Sequence, residues 1–197
     1  MPDASALLEG ESFQDQRFEG GDLSRADLGG RELATCVFKG VRLAETRWRE
    51  ARLEDCRFED CDLSRMAPDA MGARGVVYAG CKMLGIDWSN VGTYPALTFE
   101  RCDLRYASFV SLKLRKLAFV DCNLEEAQFV DCDLGEASFE RCRLTGTRFE
   151  RCDLRKASFA QAIDLTLETQ GNQLRGAKIP VETALRIAES FGLRVLK

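Results

Sequence analysis

The sequence contains no histidine. That excludes a Ser-His-Asp triad, a Cys-His pair and any imidazole metal site, and it removes the commonest general base of enzymes. Proline is scarce, at four residues. No apolar run approaches the roughly 20 residues that a membrane helix needs, and residues 1–11 lack the basic start and apolar stretch of a secretory leader. A cytoplasmic protein without a membrane partner is therefore expected. An excess of charge of one sign is also missing. With 28 basic and 32 acidic residues the net charge is -4, so direct nucleic-acid binding is not expected. The nine cysteines include no C-x-x-C pair, and their number is odd. Neither a zinc site nor a complete disulfide set follows, and no cofactor is expected.

What is present is a period of five. Large apolar residues occupy every fifth position from Phe13 through Phe18, Leu23 and Leu28 to Leu63. The phase falters, returns at Tyr78, Met83 and Trp88, and slips by one residue. From Phe99 to Phe159, phenylalanine and leucine then alternate without a miss. Two residues before each of these slots stands a second, mostly small residue such as Ala26, Cys36, Cys56, Ala107 or Cys122, and all nine cysteines fall there. The residues between are largely polar. A period of five fits neither the helix nor the extended strand; a chain that turns a corner every five residues fits it, with two side chains inward and three outward. Acidic pairs such as Glu125 with Glu126 then lie on a solvated surface with no cleft around them, and the interior is filled. No enzyme is expected.

The units CDLRY, CNLEE, CDLGE and CDLRK, beginning at Cys102, Cys122, Cys132 and Cys152, resemble the pentapeptide-repeat family, whose motif is a small residue, Asp or Asn, Leu or Phe, and two variable residues. The resemblance runs over about residues 11–179. It implies an all-β solenoid, a right-handed quadrilateral β-helix with four units per coil, so that residues twenty apart stack. Phe99, Phe119, Phe139 and Phe159 then form one ladder, and Phe109, Phe129 and Phe149 the opposite one. At about 4.8 Å per coil, roughly eight coils make a rod on the order of 40 Å long. Stacked cysteines with parallel side-chain directions do not suit a disulfide and pack as small hydrophobes. The expected organisation is a tail over 1–10, the β-helix over 11–179, and a dimerising C-terminal segment over 180–197.

The repeat breaks in three places. Residues 66–75 put Pro68 and Ala73 where large residues belong; the segment is either two distorted sides of one coil or a loop projecting at Pro68, Gly72 and Gly75. Residues 89–96 contain the phase slip. The third break is the C-terminus, where Pro180 opens a helix whose face carries Val181, Ala184, Leu185, Ala188 and Phe191, with Gly192 as its stop. Leu193, Val195 and Leu196 follow as an apolar tail. An open solenoid end must be capped or paired, and this much apolar surface favours a homodimer.

Charge varies from coil to coil. The stretch 121–140 holds Asp121, Glu125, Glu126, Asp131, Asp133, Glu136 and Glu140 and no lysine or arginine, whereas the coils on either side are mainly basic. B-DNA carries about three charges per 4.8 Å and on the order of 24 over 40 Å, against a net -4 here. Mimicry of DNA must be local or rest on shape. The segment CKMLGIDW (residues 81–88) between two irregular stretches, and the ending LRGAKI followed by a helix and FGLRVL, are similar to the topoisomerase-protecting branch of the family, which includes the quinolone-resistance Qnr proteins. That resemblance implies a dimer joined at the C-termini that binds DNA gyrase or topoisomerase IV, a type II topoisomerase, and protects it from poisons. The candidate contact residues are the seven carboxylates named above together with Pro68, Met71, Arg74, Asn90 and Tyr94 in the irregular segments. A scaffold for another protein is the alternative, and a thiol-based redox or metal sensor a third reading.

Overall fold

The computed structural model of the chain describes residues 4–92 and 95–195. Tyr94 and Leu196 lie outside the described residues. The backbone winds into a four-sided parallel β-helix of about seven turns, with one C-terminal helix, Val181–Ser190. Its cause is visible at the corners. The residue two after the inward slot takes a left-handed conformation at most corners, as at Asp15 (φ 53), Glu45 (φ 59) and Lys116 (φ 61). Each such turn redirects the chain, and the coils then pair twenty residues apart, Phe18 with Phe38 and Phe38 with Phe58. A left-handed conformation costs an L-residue roughly 1–2 kcal/mol. Coil-to-coil hydrogen bonds and the buried column of rings outweigh that cost, since full burial of one Phe or Leu contributes about 1.5–3 kcal/mol.

The four sides differ. The second side, the Phe18 column, forms a seven-stranded parallel sheet along the rod, from Arg17–Glu19 to Ser138–Glu140. The first side, the Phe13 column, is a four-stranded sheet from Ser12–Gln14 to Gly72–Arg74 and then changes to single bridges such as Lys113 with Asp133. The fourth side changes in the opposite sense. It starts as bridges, Asp27 with Arg47, and becomes the sheet Ser108–Val110, Gln128–Val130 and Arg148–Glu150. The third side is bridged throughout, from Asp22 with Arg42 to Arg143 with Ile163. Bridged sides close with a turn in which the N–H three residues on donates to the central carbonyl, as Ala107 does to Leu104 at 3.1 Å.

The core is a file of rings. Phe18, Phe38, Phe58, Tyr78, Phe99, Phe119, Phe139 and Phe159 stack in sequence with centroids 4.5–5.5 Å apart. Trp88, Phe109, Phe129 and Phe149 stack on the opposite side. Tyr78 Oη and Trp88 Nε1 are buried without a hydrogen-bond partner among the described residues. Trp48, on the fourth side below Trp88, donates Nε1 to the buried Thr46 hydroxyl at 2.9 Å. Ile86 occupies the place two residues before Trp88 that Thr46 occupies before Trp48, so the second indole lacks its acceptor.

The irregular stretches resolve differently. Residues 66–75 stay in the coil: Ala67 bridges Arg47, and Leu53 pairs with Ala73. Pro68 forfeits the backbone donor that Trp48 and Trp88 use at the equivalent position, yet its ring stays in the fourth-side column. At the second break the offset changes from twenty to twenty-one residues, since Phe58 pairs with Tyr78 and Tyr78 with Phe99. The extra residue lies between Gly92, still bonded to Met71 O, and Leu97, paired with Val76. Ala4–Leu8 form a short 3-10 helix whose Ala4 and Leu7 are buried and plug the first coil.

Candidate functional site

All nine cysteines are free and buried, and each follows a strand-bearing side. On those sides the thiol of the next coil, where a cysteine is present, donates to the central carbonyl. Cys122 Sγ reaches Phe99 O at 3.4 Å, and Cys132 Sγ reaches Phe109 O at 3.3 Å. On bridged sides the turn N–H takes that carbonyl, and the slot holds alanine or another residue without a thiol, as at Ala107, Ala127 and Thr147. Where the cysteine column ends, Asn172 takes over, donating Nδ2 to Phe149 O at 2.7 Å while its Oδ1 accepts from Cys152 N. Cys61, Cys81, Cys102, Cys122 and Cys142 stand in one file. The neighbouring thiol Cys122 and burial push Cys102 up to about 12, and in the same way Cys102 and burial push Cys81 up to about 12. Cys81 and Cys102 are thus hydrogen-bond donors of the core, held protonated. Among the described residues no cluster of metal-binding side chains is present, and no helix is long and apolar enough to cross a membrane.

The acidic coil is laced to its basic neighbours. Arg141 clamps Asp121 with Nε and Nη2 at 2.7 and 2.9 Å, and Arg151 clamps Asp131 in the same way. Glu140 pairs with Arg141, Glu136 and Asp133 with Arg115, and Glu125 with Arg143. The Arg141 hydrogen bonds hold Asp121 below the usual carboxylate range, and those of Arg151 do the same for Asp131. Of the seven expected contact carboxylates, only Glu126 lacks an ion pair among the described residues. The same pattern runs the length of the rod, as in Arg25 with Glu45, Arg52 with Glu32 and Arg74 with Glu54. A girdle of bare negative charge is thus absent. The carboxylates and guanidinium groups alternate along columns.

Among the irregular-segment residues, Met71 is buried and Pro68 faces the fourth-side column, so both contribute packing, which corrects their expected place on a contact surface. Their slots face inward because the segment does not leave the coil. Arg74 is exposed and paired to Glu54, and Asn90 stands at the surface of the same coil. The C-terminal helix rests on the last coil through Thr183, whose Oγ1 donates to Leu165 O at 3.2 Å, and through Arg186, which donates to the same carbonyl. Its other face, with Val181, Ala184 and Leu185, is exposed, and Ala188 is half-buried. Phe191, Leu193 and Val195 continue the exposed apolar surface, with Val181 70% and Phe191 65% accessible. A groove of about 550 Å³ lies between the helix and the segment 165–170. Sequence reasoning did not single out Tyr106, a corner residue that is 61% exposed; the signal was an aromatic in an outward slot.

Two descriptions of the same repeat match the sequence: the pentapeptide repeat region over residues 95–165 and pentapeptide repeats (8 copies) over residues 36–66. Among curated proteins no relative matches. Among solved structures, a trypsin-treated variant of QnrB1, a plasmid-mediated fluoroquinolone resistance protein, superposes with a TM-score of 0.52 at 20% identity, over 95% of this chain and 92% of that one. Full-length QnrB1 gives a TM-score of 0.51 at 20% identity over 92% and 90%. HetL, a pentapeptide repeat protein involved in heterocyst differentiation regulation in the cyanobacterium Nostoc, gives 0.48 at 18% identity over 88% and 89%. The matched repeat regions make up more than half of the chain and coincide with the coils described above, and the chain belongs to the pentapeptide-repeat family.

Proposed function

We propose that the chain is a non-catalytic binding protein that docks on a type II topoisomerase, DNA gyrase or topoisomerase IV, as a cytoplasmic homodimer joined through its C-terminal helices and protects the enzyme from a poison. The observation that carries the binding role is the filled rod. Rings and thiols occupy its interior, its charged groups are solvated, and a groove at its end lies beside the exposed apolar face of Val181, Leu185 and Phe191. Such a molecule offers a surface and no reaction chamber. Apolar residues concentrated at one terminus suit an isologous contact between two copies. The choice of a topoisomerase follows from the resemblance of residues 81–88 and of the C-terminal ending to the protecting branch, together with the fold shared with QnrB1. The ion-paired columns mean that a likeness to duplex DNA would rest on width and rod shape more than on charge.

The test is a gyrase supercoiling assay with a quinolone, in which the protein should restore supercoils at micromolar concentration. Absence of both rescue and inhibition would remove the topoisomerase reading. The neutralised acidic coil gives specific weight to a second reading, a scaffold for a protein that does not bind DNA. Under that reading the assay stays silent while the chain still dimerises.

A further inference from the structure

The buried thiols do not all have the same neighbours. Cys61, Cys81, Cys102, Cys122 and Cys142 fill a file of five, whereas Cys36 and Cys56 form a file of two, with Gln16 in the coil before and Val76 in the coil after. Strand register holds this pair in line, since Phe13 pairs with Leu33 and Leu33 with Leu53. Cys36 Sγ lies 3.5 Å from Phe13 O and Cys56 Sγ 3.4 Å from Leu33 O, the same contact made one coil apart. The two thiols are therefore parallel, with their sulfurs about 4.8 Å apart, the spacing of the coils. A disulfide bond of about 2.05 Å is out of reach. Twice a metal–thiolate bond of about 2.3 Å nearly matches the gap, the span of one ion held in a straight line between two sulfurs. Access and acidity also set Cys36 apart. It is 1% exposed, but the coil before it is the first of the rod, where Phe13 and Gln16 are only partly buried. A hydrogen bond from the Cys56 thiol draws Cys36 below the ordinary thiol range, and Cys56 is pushed up in return. Cys132 and Cys152 make the other file of two, shut in by the buried Leu112 and by the Asn172 side chain.

From two parallel thiols one coil apart, alone in their file and next to the end of the rod, we infer that Cys36 and Cys56 form a linear two-thiolate site for a mercuric ion. Thiolate is a soft ligand and selects soft cations. Among the described residues no cluster of three or more metal-binding side chains is present, so a four-coordinate ion such as zinc lacks its ligand set. Charge decides between the ions that accept two ligands in a line. A cuprous or silver ion between two thiolates leaves one net negative charge, which is costly inside an apolar rod. Hg2+ between two thiolates is neutral. On binding, two S–H bonds break, two Hg–S bonds form and two protons pass to solvent, with no change of oxidation state. The contacts given up at Phe13 O and Leu33 O are weak thiol hydrogen bonds, and the ion ties the second coil to the third.

The test titrates the full, reduced chain with HgCl2 under native conditions, with free cysteine as competitor. At one equivalent, X-ray absorption should show two sulfurs at about 2.3 Å and no further ligand, and the melting temperature should rise. Affinity for this first equivalent should fall roughly a hundredfold or more in Cys36→Ser and in Cys56→Ser, while Cys142→Ser, in the file of five, should change it less than twofold. Methylmercury, which takes a single thiol and cannot bridge two coils, should not raise the melting temperature. Three or four sulfurs around the ion, unchanged affinity in Cys36→Ser, or uptake of the ion only after unfolding would each overturn the site. The absorption measurement needs only the parent chain, so it decides even where a serine variant folds poorly. No topoisomerase is present, so this result is separate from that of the supercoiling assay.

Discussion

In the first four coils the two strand-bearing sides are neighbours, the Phe13 and Phe18 columns; after the extra residue between Gly92 and Leu97 they face each other across the core, as the Phe18 and Phe109 columns. The rings respond to this change. Among the described residues Phe38 stacks on Phe18 and Phe58 alone, whereas Phe119 stacks on Phe99 and Phe139 and also meets Phe109 and Phe129 edge-on. Opposed strand sides let two phenylalanine ladders interlock across the core, while adjacent ones leave one ladder facing leucine and tryptophan. The later coils are thus the more regular half, and the earlier half tolerates Pro68, Ala73 and two unpartnered polar atoms.

The largest expected effect sharpens this contrast. Phe119→Ala should destabilise by about 3–5 kcal/mol, and Phe38→Ala by about 1 kcal/mol less, because it breaks no edge-on pair. Denaturant unfolding of the two variants checks the difference, and equal losses would dissolve it. Next comes the thiol that each strand side recruits. Cys122→Ala removes the thiol bond to Phe99 O and should cost about 0.5–1.5 kcal/mol, whereas Ala127→Cys, in a slot after a bridged side where the carbonyl is already taken, should gain nothing from the added thiol. The contrast would fail if Cys122→Ala unfolded at the same denaturant concentration as the parent.

A smaller effect is expected at the junction. Ile86→Thr reproduces the Thr46–Trp48 pair for Trp88, and Tyr78→Phe removes an unpaired hydroxyl. Each should raise stability by up to about 1 kcal/mol, read as a higher melting temperature, and a drop in both would show that these donors are satisfied. The smallest concerns pH. Asp121 and Asp131 are depressed in the fold by Arg141 and Arg151, so their contribution is present above the ordinary aspartate value of about 3.9 and is lost as pH falls through the lower folded value. Asp131→Asn should therefore flatten the acid limb of the stability curve slightly and leave neutral-pH unfolding nearly unchanged. Unfolding midpoints between about pH 2 and 6 would detect it.

Much of this was legible in the sequence because a five-residue period leaves few alternatives. The strict Phe–Leu alternation from Phe99 to Phe159 mirrors the alternation of strand and bridged sides, and cysteine against alanine two residues before each slot reports which kind of corner came before. Two features escaped. Pro68 and Gly72 carry the composition of a loop, yet coil pairing on either side holds them in place, a tertiary effect that local turn chemistry does not register. The acidic coil stood out because charge was summed around a turn, whereas ion pairs such as Asp121 with Arg141 run along the rod between residues twenty apart. Tyr106 was passed over because an outward slot in a repeat reads as variable.

Register at twenty residues also makes length an adjustable quantity. Removing residues 121–140 as a block would bring Arg141 to the place of Asp121, with Phe139 and Phe119 exchanged like for like, and would shorten the molecule by one rung while both ends kept their caps. A gene built this way can act as a measuring stick, its span tuned by whole-coil gain or loss without redesign of whatever its two ends touch.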